Sequence, residues 1–274
     1  ADRTVGKMDE FAPKAKIIHI DIDPAEVGKN IRVDTPIVGD VKQVLSEIEK
    51  RVVEREKTGW NKYVDDLKQN KAVNANGEQL NPVEIIRHLS HKTKGKAIIT
   101  TEVGCHQMWT AQHYKFIKPR SFISSGGLGT MGYGLPAAIG VQMAKKDEMV
   151  INICGDGSFQ MNLQELATAV ENKLPIKVVL FNNKGLGLVR QLQEFYCQKR
   201  YNQVHFGFVP DFVKLAASYG IQGQRIYKND EISSAIDNLI EHEGPYLLEC
   251  IVDINNNVYP MVLYGSPINE MIGG

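Results

Sequence analysis

The hydrophobic positions of this chain fall into two textures. Four short runs are almost continuously apolar: Ala97 to Thr101, Met149 to Cys154, Ile176 to Phe181 and Tyr246 to Val252. Such runs read as strands covered on both faces, because a half-exposed strand would alternate apolar with polar. Between them apolar residues recur at three- and four-residue spacing. That period predicts helices over Leu135 to Ala144, Asn162 to Lys173, Pro210 to Tyr219 and Glu231 to His242. A further helix opens at Asn81-Pro82, a capping residue followed by Pro at the first helical position. Strands that alternate with helices predict an α/β fold, a doubly wound parallel sheet with helices on both sides.

Upstream the texture changes. Lys16 to Ile22 reads as a buried strand ended by Asp23-Pro24, and Val41 to Val53 has helical spacing. One strand and one helix cannot bury a core, so residues 1–52 read as the end of an α/β domain that begins upstream. Residues 53–80 form a charged connector, with a helix near Trp60 to Lys68 and a turn at Asn74-Ala75-Asn76-Gly77. The main domain is expected over 81–274. The chain opens on Ala1-Asp2-Arg3 instead of Met, which favours a fragment of a longer polypeptide over a complete processed protein.

Composition removes several classes. Lys plus Arg and Asp plus Glu both total 32, so no basic field favours nucleic acid or anionic lipid. No apolar run reaches the ~20 residues a membrane helix needs. Cys105, Cys154, Cys197 and Cys250 lack metal-finger or CxxC spacing, which reads as reduced thiols in a soluble intracellular protein.

The candidate chemistry sits where two strand runs end. Gly155-Asp156-Gly157-Ser158 closes one run, and Asn182-Asn183 closes the next after an intervening helix. A right-handed crossover makes those strands parallel and brings both loops to one edge of the sheet. Asp156 and Asn183 then face one ion with hard oxygen donors, a set suited to Mg²⁺ carrying a diphosphate. Gly157 and Ser158 open a helix whose free N–H groups favour an anion. Taken alone, the GDG triplet is equally a glycine turn of any α/β protein. A second loop, Gly104-Cys105-His106, follows the first strand of the main domain. A third, Ser125-Gly126-Gly127-Leu128-Gly129-Thr130-Met131-Gly132, is flat enough to lie against a planar ligand.

This ordered set, with Gly104 to Trp109, Gly187-Leu188-Val189-Arg190-Gln191 and the tail Tyr259-Pro260-Met261-Val262, resembles the thiamine diphosphate-dependent carboligases. Within them it looks like the large catalytic subunit of acetolactate synthases (acetohydroxyacid synthases), over nearly the whole chain. The resemblance implies condensation of two pyruvates to 2-acetolactate, or of pyruvate with 2-oxobutyrate to 2-aceto-2-hydroxybutyrate, with loss of CO₂, in branched-chain amino-acid biosynthesis. It implies thiamine diphosphate, Mg²⁺ and FAD as cofactors. It implies Mg²⁺ held by the side chains of Asp156 and Asn183 and the carbonyl of Gly185. The cofactor would lie among Gly104, Cys105, His106, Gly129, Thr130, Met131, Asp156, Gly157, Ser158, Asn183, Gly185, Leu186, Gly187 and Leu188. Among these His106 is the expected side-chain donor to the diphosphate, and Asn182 organises the loop without touching the ion. Gly129 would meet the pyrimidine amino group with its carbonyl, and Met131 would wedge the cofactor into a bend. On their own His106 is a histidine satisfied at a helix start and Met131 is core packing.

Asp21, Ile22, Asp40 and Val41 match flavin-binding positions, although by composition they are a strand end and a turn. Leu188 and Leu192 would line the substrate channel. Three departures stand out: Cys105 replaces the usual Gln, Leu188 a frequent Met, and Leu192 the usual Trp. The last unsettles the preference for 2-oxobutyrate. The activating Glu of the family belongs to an upstream domain on a partner subunit, so this polypeptide alone is expected to be inactive. A homodimer or homotetramer, a regulatory small subunit and a cytoplasmic, plastid or mitochondrial location follow from the same resemblance. The alternatives are a glyoxylate carboligase, pyruvate oxidase or 2-oxo acid decarboxylase, a naturally split enzyme, and a non-catalytic nucleotide-binding or interaction module.

Overall fold

The computed structural model describes residues 6–54, 59–69 and 79–273. By its contacts the chain divides into two compact units, Ala1–Asn74 with Tyr259–Gly274, and Ala75–Val258. The sequence reading carried the main domain through to residue 274, whereas the last sixteen residues group with the amino-terminal unit.

In the first unit, strands β1 (Ile18–Asp21) and β2 (Thr35–Val38) pair in parallel, with Asp21 opposite Val38. Helix α1 (Val41–Glu49) follows, capped by Asp40, whose carboxylate accepts from Lys42 N at 3.0 Å and Gln43 N at 3.1 Å. The second strand is absent from the sequence reading because Thr35-Pro36-Ile37-Val38 is short and carries Pro, which suits an edge. No residue of α1 is buried. That matches the argument that these elements cannot enclose a core by themselves. Helix α2 (Gly59–Gln69) forms where the connector was expected to be helical. The turn expected at 74–77 lies outside the described residues.

The second unit is a six-stranded, wholly parallel sheet. Its strands are β3 (Ile98–Thr101), β4 (Phe122–Ser124), β5 (Val150–Gly155), β6 (Lys177–Asn182), β7 (Gln222–Ile226) and β8 (Tyr246–Ile251), in the order β4-β3-β5-β6-β8-β7. The four apolar runs supply the central strands. The two strands not anticipated, β4 and β7, are the edges. β4 has only three residues and β7 reads Gln-Gly-Gln-Arg-Ile, so neither carries the doubly covered signature.

Alternation within the strands explains the layers. Ile151, Ile153, Val179, Phe181 and Leu248 point into one core with α3 (Pro82–Lys92), α4 (Cys105–His113) and α10 (Ile232–Glu241). Val150, Cys154, Val178, Leu180 and Leu247 point into the other with α5 (Gly134–Ala144), α7 (Leu166–Glu171) and α9 (Phe212–Ser218). Of two further helices, α6 (Asp156–Phe159) opens directly from the end of β5 and α8 (Gly187–Tyr196) follows β6 after the loop 183–186. Asn81 caps α3 as its sequence implied, accepting from Val83 N at 2.9 Å. The helix expected over 162–173 is broken into a 3₁₀ turn, Leu163–Glu165, and α7. Asn162 there spends its amide on Gly132 O at 2.9 Å, tying the glycine loop down instead of starting a regular helix.

After β3 the chain moves outward to β4, and after β5 it moves the opposite way to β6. The carboxyl ends of β3 and β5 therefore flank a topological switch point, where an open α/β sheet leaves a crevice.

Candidate functional site

A cleft of about 560 Å³, counting its open mouth, occupies that crevice. Its walls come from the three loops named by the sequence: Gly104, Cys105 and His106 after β3, Gly155 to Ser158 after β5, and Asn183 to Val189 after β6, without Lys184. Met131 reaches the cleft from the glycine loop, and Leu188 is among its lining residues. Gly129, Thr130 and Leu192 do not form its wall, and Leu192 is 38% exposed. The wall also includes Val103, Trp109 and Phe181. They were missed as site residues because each reads as ordinary core.

At the centre two oxygens converge. The N–H of Gly185 points at Asp156 Oδ2 and at Asn183 Oδ1, 3.2 Å from each. The other carboxylate oxygen, Asp156 Oδ1, accepts from Gly157 N at 2.8 Å. Asp156 is 1% exposed, and burial pushes its carboxyl up to about 7, with hydrogen bonds from Gly157 and Gly185 opposing the shift. A buried carboxylate with neutral hydrogen-bond partners is a charge that a cation would neutralise. Carboxylate, amide carbonyl and neighbouring backbone carbonyl are the hard oxygen donors that fit a divalent ion.

Gly185 must lack a side chain. A Cβ there would strike the carbonyl oxygen of Val204 and lie 2.6 Å from Ile254 Cδ1. Backbone bonds from Leu186 N to Val204 O (2.8 Å) and Phe206 N to Lys184 O (2.8 Å) clamp the same loop.

The walls also suit an anion. Helices α4 and α8 both begin at the cleft, and neither has a side chain capping its first N–H groups. Gly104 precedes α4 at φ 153°, and a Cβ there would sit 2.7 Å from His106 Nδ1. His106 is 5% exposed, and burial pushes it down to about 3, so the ring is neutral. Its Nε2 lies 3.6 Å from Glu102 Oε1, a carboxyl that burial pushes up to about 8. Glu102 also accepts from Gly155 N at 3.3 Å, joining the first and second loops. It was missed by the sequence reading. Its signal was a Glu directly after an apolar run and before a glycine, where burial is expected. Burial lifts the Cys105 thiol to about 12.

Asn182, the last residue of β6, faces inward: its Oδ1 accepts from Lys184 N at 3.1 Å and its Nδ2 donates to Glu249 at 2.7 Å. In the first unit Asp21 and Asp40 come to the same end of the β1–β2 pair. Asp21 Oδ1 accepts from Asp23 N at 2.9 Å, while Ile22 and Val41 are exposed. All four cysteines are free. Among the described residues no helix is long and apolar enough to cross a membrane.

Comparison with known proteins places both parts of the chain in one family. Residues 102–250 match the model for the thiamine pyrophosphate enzyme C-terminal TPP binding domain, and residues 1–48 match the central domain of such enzymes. The chain is 40% identical, over 99% of its length, to the acetolactate synthase isozyme 2 large subunit of Escherichia coli, covering 49% of that protein. It is 43% identical to a probable acetolactate synthase large subunit of Methanocaldococcus jannaschii, with 99% of this chain and 48% of that one aligned. The acetolactate synthase large subunit of Pyropia yezoensis is also 43% identical, with 99% and 47% aligned. The chain thus spans about half the length of the curated relatives it matches.

Proposed function

Because this chain belongs to the thiamine pyrophosphate enzyme family, we propose that it is the cofactor-binding part of an acetolactate synthase large subunit. The observation that carries the site is the convergence of Asp156 Oδ2 and Asn183 Oδ1 on one N–H, from loops leaving adjacent parallel strands. Those two side chains and the Gly185 carbonyl would hold Mg²⁺, and the uncapped starts of α4 and α8 would hold the diphosphate. His106, neutral and at the cleft wall, can donate one hydrogen bond there without adding charge. Met131 and Leu188, both lining the cleft, would shield the cofactor's rings from water, where a dry wall strengthens each polar contact. Bound thiamine diphosphate supplies the electron sink that lets a 2-oxo acid lose CO₂ and add its remaining carbons to a second 2-oxo acid. The protein's own share is positioning and charge balance.

The same reading extends to the whole protein. Pyruvate would be donor, and pyruvate or 2-oxobutyrate acceptor, with Leu192 weakening selection for the larger one. FAD would sit near Asp21 and Asp40. The relatives' names, each a large subunit, support a smaller regulatory companion. A homodimer or homotetramer and a cytoplasmic or plastid location belong to the proposal as well.

The test is product analysis on the full-length protein with pyruvate, thiamine diphosphate and Mg²⁺. Acetolactate, read as acetoin after acid treatment, is the expected product, and Asp156→Ala should abolish it. Acetaldehyde or acetyl phosphate as sole product would move the assignment to a sister enzyme.

A further inference from the structure

A line of polar side chains runs through the sheet behind the cleft. Asp211 caps α9 by accepting from Lys214 N at 3.3 Å, and its Oδ1 also accepts from Arg225 Nη2 at 2.6 Å. Arg225 Nε donates to Glu249 Oε2 at 2.7 Å, and Glu249 Oε1 accepts from Asn182 Nδ2 at 2.7 Å. Asn182 Oδ1 then accepts from Lys184 N. The donors and acceptors thus pass from β7 through β8 to β6, three neighbouring strands, and end on the loop that carries Asn183 and Gly185.

Two features give this line a direction. Lys184 is in the left-handed region at φ 55°, a conformation unfavourable for a residue with a Cβ. The bond from its N–H to Asn182 Oδ1 offsets that strain and turns Gly185 N–H toward Asp156 and Asn183. An amide can present either end, and its two ends differ only in donating or accepting. Glu249, 1% exposed and paired through Oε2 with the Arg225 guanidinium, offers Asn182 only a carboxylate oxygen, which accepts. It therefore takes the NH₂ end of Asn182 and leaves the oxygen for Lys184.

We propose that Arg225 and Glu249 are positioning residues for the Mg²⁺-holding loop Asn183–Gly185, acting through the side-chain orientation of Asn182. The inference rests on the metal site proposed above. A purely structural account would have the Arg225–Glu249 pair only pin edge strand β7 to its neighbour.

The test uses the full-length protein with saturating thiamine diphosphate and Mn²⁺ as probe, its free concentration followed by electron paramagnetic resonance. Glu249→Gln keeps volume but cannot serve Asn182 and Arg225 together, and roughly tenfold weaker Mn²⁺ binding is expected. Asn182→Ala should weaken binding similarly, and the double variant should be no weaker than Asn182→Ala, since residues acting through one contact are non-additive. Unaltered Mn²⁺ affinity in Glu249→Gln, with only a lower melting temperature, would overturn the proposal. So would full additivity in the double variant. If Glu249→Gln does not fold, Arg225→Lys replaces it, with about threefold weakening expected and unchanged affinity counting against the proposal. A wild-type protein that binds no Mn²⁺ in the presence of the cofactor would instead sink the metal site itself.

Discussion

Replacing Asp156 by Asn separates the cost of the site from its use. The carboxyl is raised from an ordinary 3.8 to about 7, chiefly by burial. About 3 pKa units at 1.36 kcal/mol each give a penalty of order 4 kcal/mol for the ionised, metal-free protein. The sign follows from where the proton resides. Below pH ~4 both folded and unfolded states keep it, and nothing is lost. Between pH ~4 and ~7 the unfolded chain releases it while the folded one retains it, so stability falls with rising pH. Above ~7 the loss is complete. Asn carries no charge and escapes this slope. Its NH₂ must face either Gly157 N–H or Gly185 N–H, donor against donor, which costs about 1–3 kcal/mol at every pH. Urea unfolding in EDTA at pH 5.5 and 8 measures the difference. Between those values the wild type should lose about 2 kcal/mol more than Asp156→Asn, and near pH 8 the variant should equal or exceed the wild type in stability. Glu102 titrates in the same window but is common to both proteins, so it cancels. Adding Mg²⁺ with thiamine diphosphate at pH 8 should stabilise the wild type alone. A stability difference independent of pH, or equal stabilisation of the variant by the ion, would refute the reasoning.

Two further outcomes test the walls. Gly185→Ala forces a Cβ against the Val204 carbonyl and Ile254, so urea midpoints should show a loss of roughly 1–3 kcal/mol together with a weaker response to Mg²⁺; unchanged stability would mean that the 204–206 segment yields freely. Burial lifts the thiols of Cys105, Cys154 and Cys250 while Cys197 is only half-buried, so Ellman's reagent should titrate one fast thiol in the native protein and all four after denaturation, and a fast Cys105 would contradict the closed cleft wall.

Most of what places the site was legible in the chain. Continuous apolar runs forecast β3, β5, β6 and β8, and polar residues at their ends forecast the three loops, because a strand covered on both faces leaves only its ends for chemistry. Edge strands escaped for the converse reason. β7 carries Gln224 and Arg225, which bond laterally to side chains instead of filling a core. Glu249 was hidden, since an acidic residue inside an apolar stretch has no period of its own, and Glu102 offered only its place at the end of such a run. Their meaning depends on partners at Gly155, Arg225 and Asn182, which lie distant in sequence on other strands or their ends, and for Glu102 also on His106 four residues on. Asn182 shows the boundary well. The resemblance already gave Asn183 to the ion and Asn182 to the loop, but only the tertiary neighbours show that Asn182 bonds Glu249 and Lys184 N.

The parallel sheet has a second rim. Every strand in it runs the same way, so the connectors entering β3, β5, β6 and β8 gather at the border opposite the cleft. Lys94, Lys146, Lys173 and Glu243 stand in those connectors, all exposed. A fluorophore, an affinity handle or a surface tether attached there would report on folding or immobilise the molecule while the working border stays open.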